Sequence, residues 1–244
     1  NAVIEVSENS KQVLNFLKAE FQIGSYDFVP SEGQFLCLFN LFRRSDEPDG
    51  TVLPAARKWF WTVSFSEGLR GKPDTYIANL IEDVGRATAG NIESLRFRLS
   101  IESKDLTERR FLSGKALSSA YATMYAVSTP RSLLTGAAIE AKYYMMEAEP
   151  GSFSPLISLH VLRETVVPDL LSAKVFANLI LAPIEDKKWL DSIEPSKVPD
   201  SVIDRFGEVA GREILESQFM SQDACSALAE EVYDAFLYFR AIAI

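Results

Sequence analysis

The sequence predicts a mostly α-helical fold of the α+β kind, interrupted by one short extended insert. Three observations predict it. Apolar residues recur at helical spacing over most of the first 127 residues. Between about residues 139 and 190 that spacing gives way to short apolar runs with strand character. After Pro183 the helical period returns and holds to Ile244. No internal repeat and no low-complexity tract competes with this reading.

The elements follow in order. Val13, Leu14, Leu17 and Phe21 predict an amphipathic helix over 10–21. Gly24, Pro30 and Gly33 mark a loop, and 34–44 reads as a deeply buried second helix. Ser45 to Gly50 is a surface loop by composition. Pro54 opens a third helix that runs through Trp59, Phe60, Trp61 and Phe65 until Gly68, Gly71 and Pro73 break it. Asp74 is an expected N-cap for a helix with Ile77, Leu80, Ile81 and Val84 inward, ending near Gly90. Residues 103–110 and 115–127 read as two further helices, the second rich in Ala and Ser. Extended segments are expected at 139–147, 156–161 and 175–181, then a helix at 185–190. Pro195 and Pro199 punctuate a loop. In the last helix Leu228, Val232, Ala235 and Phe239 share a face. The expected organisation is a helical lobe over 3–90 and a second helical domain over 91–244, with the insert at about 139–190 inside it.

Composition narrows the classes. The 244 residues are 47% hydrophobic and include 16 Phe, 8 Tyr and 3 Trp, ample for a core. No run approaches the roughly 18 apolar residues of a membrane span, so no membrane partner is expected. Cys37 and Cys225 stand far apart without zinc-ligand spacing, which points to a reducing, cytoplasmic setting. Net charge is −9, but Asp200 to Ile244 holds nine acids and three bases, leaving about −3 for the first 199 residues. A nucleic-acid contact would therefore be local.

Several stretches carry a resemblance. Lys58-Trp59-Phe60-Trp61-Thr62-Val63-Ser64-Phe65-Ser66-Glu67 is similar to the "RWFW…SFSERY" stretch in the C-terminal half of GmrSD-type restriction proteins. Pro130-Arg131-Ser132-Leu133-Leu134-Thr135-Gly136 resembles the "R-D-L-x-T-G" that precedes their nuclease core. That core runs roughly "HHIFP", "ANLTPL", an Asn nine residues on, then "PxxY". Here the corresponding positions read Leu159-His160-Val161-Leu162-Arg163, Ala177-Asn178-Leu179-Ile180-Leu181, Lys187 and Pro195. Leu215-Glu216-Ser217-Gln218-Phe219 and Phe236 to Arg240 resemble the "L-x-S-H-F" and "F-x-x-x-R" helices. The resemblance covers nearly the whole chain and implies a degenerate ββα-metal (HNH-like) insert in a helical domain. The family's N-terminal "I-P-x-Y-Q-R" segment is absent, so the resemblance implies a C-terminal part whose partner is a nucleotide-binding N-terminal domain of the same protein.

An HNH centre hydrolyses a phosphodiester with one divalent cation. It uses a His as general base, an Asn that orients that His, and hard ligands that hold the cation on the phosphate. By resemblance His160, the sole histidine, takes the general-base position and Asn178 the orienting one. Leu159 and Lys187 occupy the two ligand positions. Leu cannot ligate, and an ammonium repels a cation. The expectation is a vestigial centre with no cofactor, in which Arg163, Lys187 and Lys188 contact nucleic acid. A divalent metal belongs only to the alternative of an active nuclease with substitute ligands among Glu164, Glu185 and Asp186.

Plainer roles are open for each residue. His160 would be an ordinary core or edge histidine, and Asn178 a turn residue bonded to local backbone. Trp59, Phe60 and Trp61 are expected in the core rather than as a base-stacking platform. The basic pairs at 43–44, 57–58, 109–110 and 187–188 are solvated faces unless they converge on DNA. A third reading is a helical protein-interaction module, with a homo-oligomer among its outcomes.

Overall fold

The computed structural model describes residues 2–24, 26–44, 50–89, 91–112, 114–140 and 152–244, and these are mostly helical with one two-stranded sheet. They belong to two compact units. One takes Asn1–Ile101 and Ser113–Val127, the other Glu102–Leu112 and Ser128–Ile244. The chain thus passes between units three times, where one boundary near residue 90 was expected. Among the described residues no helix is long and apolar enough to cross a membrane.

The first unit holds α1 (Ala2–Phe21), α2 (Glu32–Arg44), α3 (Val52–Phe65), α4 (Asp74–Gly85) and α6 (Ala116–Ser128). Its core is aromatic. Phe21 stacks on Phe60 at 4.2 Å and meets Trp61 edge-on at 5.3 Å, and Phe16 lies 5.6 Å from Phe42. Each such pair adds about 0.5–1.5 kcal/mol beyond the area it buries. Trp59 and Phe60 are buried and Trp61 is half-buried against Phe21 and Phe65, so this trio packs the core as expected. Inside the core Gln34 of α2 donates from Nε2 to Phe60 O and Ser64 Oγ of α3, at 3.1 and 2.8 Å.

The helix ends differ from expectation in instructive ways. The first helix begins eight residues earlier, because Val3, Ile4 and Val6 remain exposed and leave no burial pattern to read. Leu14, expected inward, is 37% exposed. The expected capping residue Asp74 is instead the first residue of α4, behind Pro73, where its carboxylate suits the positive end of the helix. The α4 helix proper stops at Gly85 and a 3-10 turn takes over at Arg86–Ala89. The loop at 45–49 lies outside the described residues.

The second unit holds α5 (Ser103–Glu108), β1 (Phe153–Pro155), α7 (Leu159–Thr165), β2 (Leu179–Leu181), α8 (Ile184–Leu190), α9 (Val198–Phe206), α10 (Glu208–Ser217), α11 (Gln222–Ala229) and α12 (Tyr233–Ala243). Helices α9 and α10 form one tight pair and α11 and α12 another. At Gly211 in α10 a β-carbon would sit 2.8 Å from the Ile203 Cα, so only glycine permits that approach. Helix α12 buries Phe236, Leu237, Arg240 and Ala241.

Three expectations in this unit are corrected. The segment 156–161 is not extended. The strand is Phe153–Pro155, and Ser158 caps a helix by accepting from the Val161 amide at 3.3 Å. In 175–181 only Leu179–Leu181 is strand, preceded by a 3-10 turn at Phe176–Asn178. The final helix is two helices, because Glu231 enters the left-handed region at φ 60° and the Val232 amide closes back on Ala227 O at 2.8 Å. That break rotates the buried face from Val232 and Phe239 to Phe236 and Arg240. Of the extended segment expected at 139–147, residues 141–147 lie outside the described residues, while Ala138 forms an isolated bridge to Arg131.

Candidate functional site

The polar chemistry of the second unit gathers around its small sheet. Strands β1 and β2 pair antiparallel, with Phe153 opposite Leu181 and Pro155 opposite Leu179. The Ala182 amide donates to Ser152 O at 2.7 Å and the Leu156 amide to Asn178 O at 2.9 Å, one pair beyond each end. Pro155 and Pro183 limit the ladder, since neither can donate. Helix α8 follows directly, giving the order strand, α7, strand, helix.

Asn178 is fully buried between β1 and the 170s loop. Its Oδ1 accepts from the Ile157 amide at 3.0 Å, and its Nδ2 donates to Ile157 O at 2.8 Å and Ala173 O at 2.9 Å. Every donor of the amide is used on backbone, so Asn178 shapes the turn leading into α7 and does not bond the His160 ring. His160 stands in the first turn of α7 with its side chain 79% exposed, and its Nε2 lies 3.4 Å from Glu164 Oε1 one turn on. Leu159 is half-buried.

Arg163 is exposed but its Nε donates to Leu170 O at 2.7 Å, tying α7 to the following loop. Lys187 and Lys188 are exposed on α8. Lys187 also lines a cavity of about 730 Å³ at the end of β2, together with Ser132, Thr135, Ser152, Glu185 and Asp186. The structure therefore brings Lys187 and two of the candidate carboxylates to one concavity. His160, Arg163 and Glu164, all on α7, are not among its lining residues.

Asp186 is the buried member of this set. It accepts from Ser132 Oγ at 2.7 Å and from the Leu133 amide at 2.8 Å, and the Leu134 amide adds a third bond. Burial nevertheless raises its pKa above the ordinary aspartate value, outweighing those bonds, with the Glu185 charge adding to the rise. Its carboxylate is engaged in holding the 132–136 turn. That turn ends at Gly136, whose φ of 71° and whose approach to Phe206 and Ile214 both favour glycine. Among the described residues no three His, Cys, Asp or Glu side chains stand close enough to share a metal.

Two buried polar residues complete the network, and reading the residues by type missed both. Gln218 accepts from the Leu181 amide at 3.0 Å and donates to Leu181 O and Arg131 O at 3.0 and 2.8 Å. Arg240 donates to Ala177 O at 2.9 Å, to Gln218 O at 2.8 Å and to Phe219 O at 3.3 Å. The signal for Arg240 was present in the sequence as a lone charge three residues after Leu237 and four after Phe236, on the apolar stripe of the last helix. Gln218 carried no such mark, because its role depends on the left-handed turn at Phe219, φ 57°, that ends α10.

No family model, curated protein or solved structure matches this chain.

Proposed function

We propose that this chain is the C-terminal part of a GmrSD-type restriction or phage-defence protein, and that its HNH-derived element binds DNA or holds the assembly without hydrolysing phosphodiesters. One observation carries the reading. The separate stretches that resemble that family meet in a single buried network: Arg131 to Leu133, Ala177 to Leu181, Asp186, Gln218 and Arg240 are joined by the hydrogen bonds above. That these stretches lie together in one part of the fold is what supports the reading.

Chemistry argues against turnover. The ligand-like positions carry Leu159 and Lys187, and of the substitute carboxylates Asp186 is committed to Ser132 and Leu133 while Glu164 sits beside His160 on exposed α7. What remains useful is charge: Lys187 and Lys188 on α8 are exposed, and Lys187 lies on the rim of the cavity. In this reading the nucleotide-binding domain would be supplied elsewhere in the same protein.

The test uses duplex DNA with the purified chain. The expected result is no cleavage with Mg²⁺ or Mn²⁺, together with binding that weakens as salt rises. Reversing both charges, Lys187→Glu with Lys188→Glu, should lower the slope of log affinity against log salt by about 2. Metal-dependent cleavage abolished by His160→Ala would restore the active nuclease. Absence of DNA binding, with self-association, would favour the interaction module.

A further inference from the structure

Helix α12 is apolar on two faces. It packs on α11, α5, the Phe176–Asn178 turn and α7, and it buries Phe236, Leu237, Arg240 and Ala241. A separate arc of the same helix carries Ala235, Tyr238, Phe239 and Ile242, at the i, i+3, i+4, i+7 spacing that places side chains on one side. Ala235 and Phe239 are half-buried, Tyr238 is 52% exposed and Ile242 60% exposed. The Tyr238 ring meets Phe239 edge-on at 5.8 Å, so the two aromatics make one continuous surface. A surface helix ordinarily turns polar residues outward, opposite its buried stripe. In α12 the only charged residues are Asp234 and the buried Arg240, so the outward arc from Ala235 to Ile242 has no charge of its own. Apolar residues grouped in the open mark a contact surface.

The charge around this face says what covers it. Glu230 and Glu231 stand in the turn before α12 and Asp234 in its first turn, and all three are exposed. Among the described residues neither Glu230 nor Asp234 makes an ion pair, and Glu231 accepts from Ser196 Oγ at 3.2 Å. The bases of neighbouring α5 are engaged, Lys104 with Glu108 at 3.8 Å and Arg109 with Asp105 at 3.7 Å. Acids at one end of an apolar stripe repel an anionic surface and attract a partner that carries bases. A second copy of the chain does not meet that need. Laid antiparallel on the same stripe about a two-fold axis, it would bring residues 238–244 to these acids, where the only base is the buried Arg240.

We propose that this face docks an amphipathic helix of a partner protein. Apolar side chains of that helix sit on Tyr238, Phe239 and Ile242, and lysines or arginines at one end of it meet Glu230 and Asp234. This role needs nothing from Lys187 and Lys188, so it stands whether or not the chain binds DNA.

The probe is a model helical peptide of about 18 residues, with leucine at i, i+3, i+4 and i+7 and lysine elsewhere. It is titrated calorimetrically into the full chain, with ¹H–¹⁵N spectra recorded alongside. The expected result is saturable binding in the micromolar range, with shifts along 234–242. Binding should weaken by about tenfold or more when every lysine of the peptide becomes glutamate, or when its leucines are scrambled off one face. Tyr238→Ser with Ile242→Ser should weaken it as much, and so, separately, should Asp234→Lys. These three side chains are exposed, so the variants fold. Absence of saturable binding up to about 1 mM would overturn the proposal, as would equal binding of the scrambled or glutamate peptide or by the double serine variant. A dimer of the chain alone in sedimentation, dissolved by the same double variant, would also overturn it, since a second copy then covers the face.

Discussion

Removing the Asn178 side chain probes whether the network around the small sheet is a structural keystone. Asn178→Ala would orphan the Ile157 amide, the Ile157 carbonyl and the Ala173 carbonyl. Ile157 is 1% exposed, so its two groups cannot turn to water, whereas Ala173 is half-buried and partly recovers solvent. At about 1–3 kcal/mol per buried orphan, the loss comes to roughly 3–5 kcal/mol once Ala173 is discounted. The chain has two units, so a single unfolding midpoint would blur the effect. Hydrogen exchange resolved by segment avoids that problem. Segments 153–157 and 179–182 should lose about a hundredfold or more of their protection, since each 1.4 kcal/mol is tenfold. Helix α3, in the other unit, should be unchanged. A change under about tenfold at the sheet would refute the argument, and so would equal loss in α3.

Two further predictions concern the same network. Arg240→Lys replaces a fork that reaches three carbonyls with a single ammonium, and should destabilise the second unit by roughly 3 kcal/mol, read as faster exchange at 215–220. Asp186→Asn tests a pH effect with a definite sign: the folded pKa is raised above the ordinary value of about 3.9, so the associated stability is full below that value and is lost as pH rises through the folded pKa. Wild type should therefore lose stability relative to the Asn variant on going from about pH 4 to pH 7 in urea titrations, and parallel profiles would refute the assignment.

Helix dominance was legible because burial on one side of a helix leaves a 3.6-residue period in the sequence. The same logic explains the misses. The first two turns of α1 bury little and left no period, and the break at Glu231 depends on a left-handed residue that is neither Gly nor Asn. The extended reading of 156–161 failed because short apolar runs serve strand and helix alike, and the Ser158 cap decided between them. In the candidate site, residue types singled out His160 and Asn178, but the first proved to be an exposed side chain beside Glu164 and the second a backbone brace.

By itself the sequence determined the local terms: a mostly helical chain, apolar helix faces carrying Phe21 and the Trp59 to Trp61 run, and a change of character in the insert. These depend on neighbours within a few positions, whose period and breakers are written in order along the chain. Only the tertiary structure decided that Asp186 serves the Ser132 turn, that Gln218 holds β2 from 37 residues away, and that Arg240 holds the turn before β2, at Ala177, from 63 residues away. Hydrogen bonds across such separations depend on which backbone groups remain unpaired once the elements have packed, and that is a property of the assembled core.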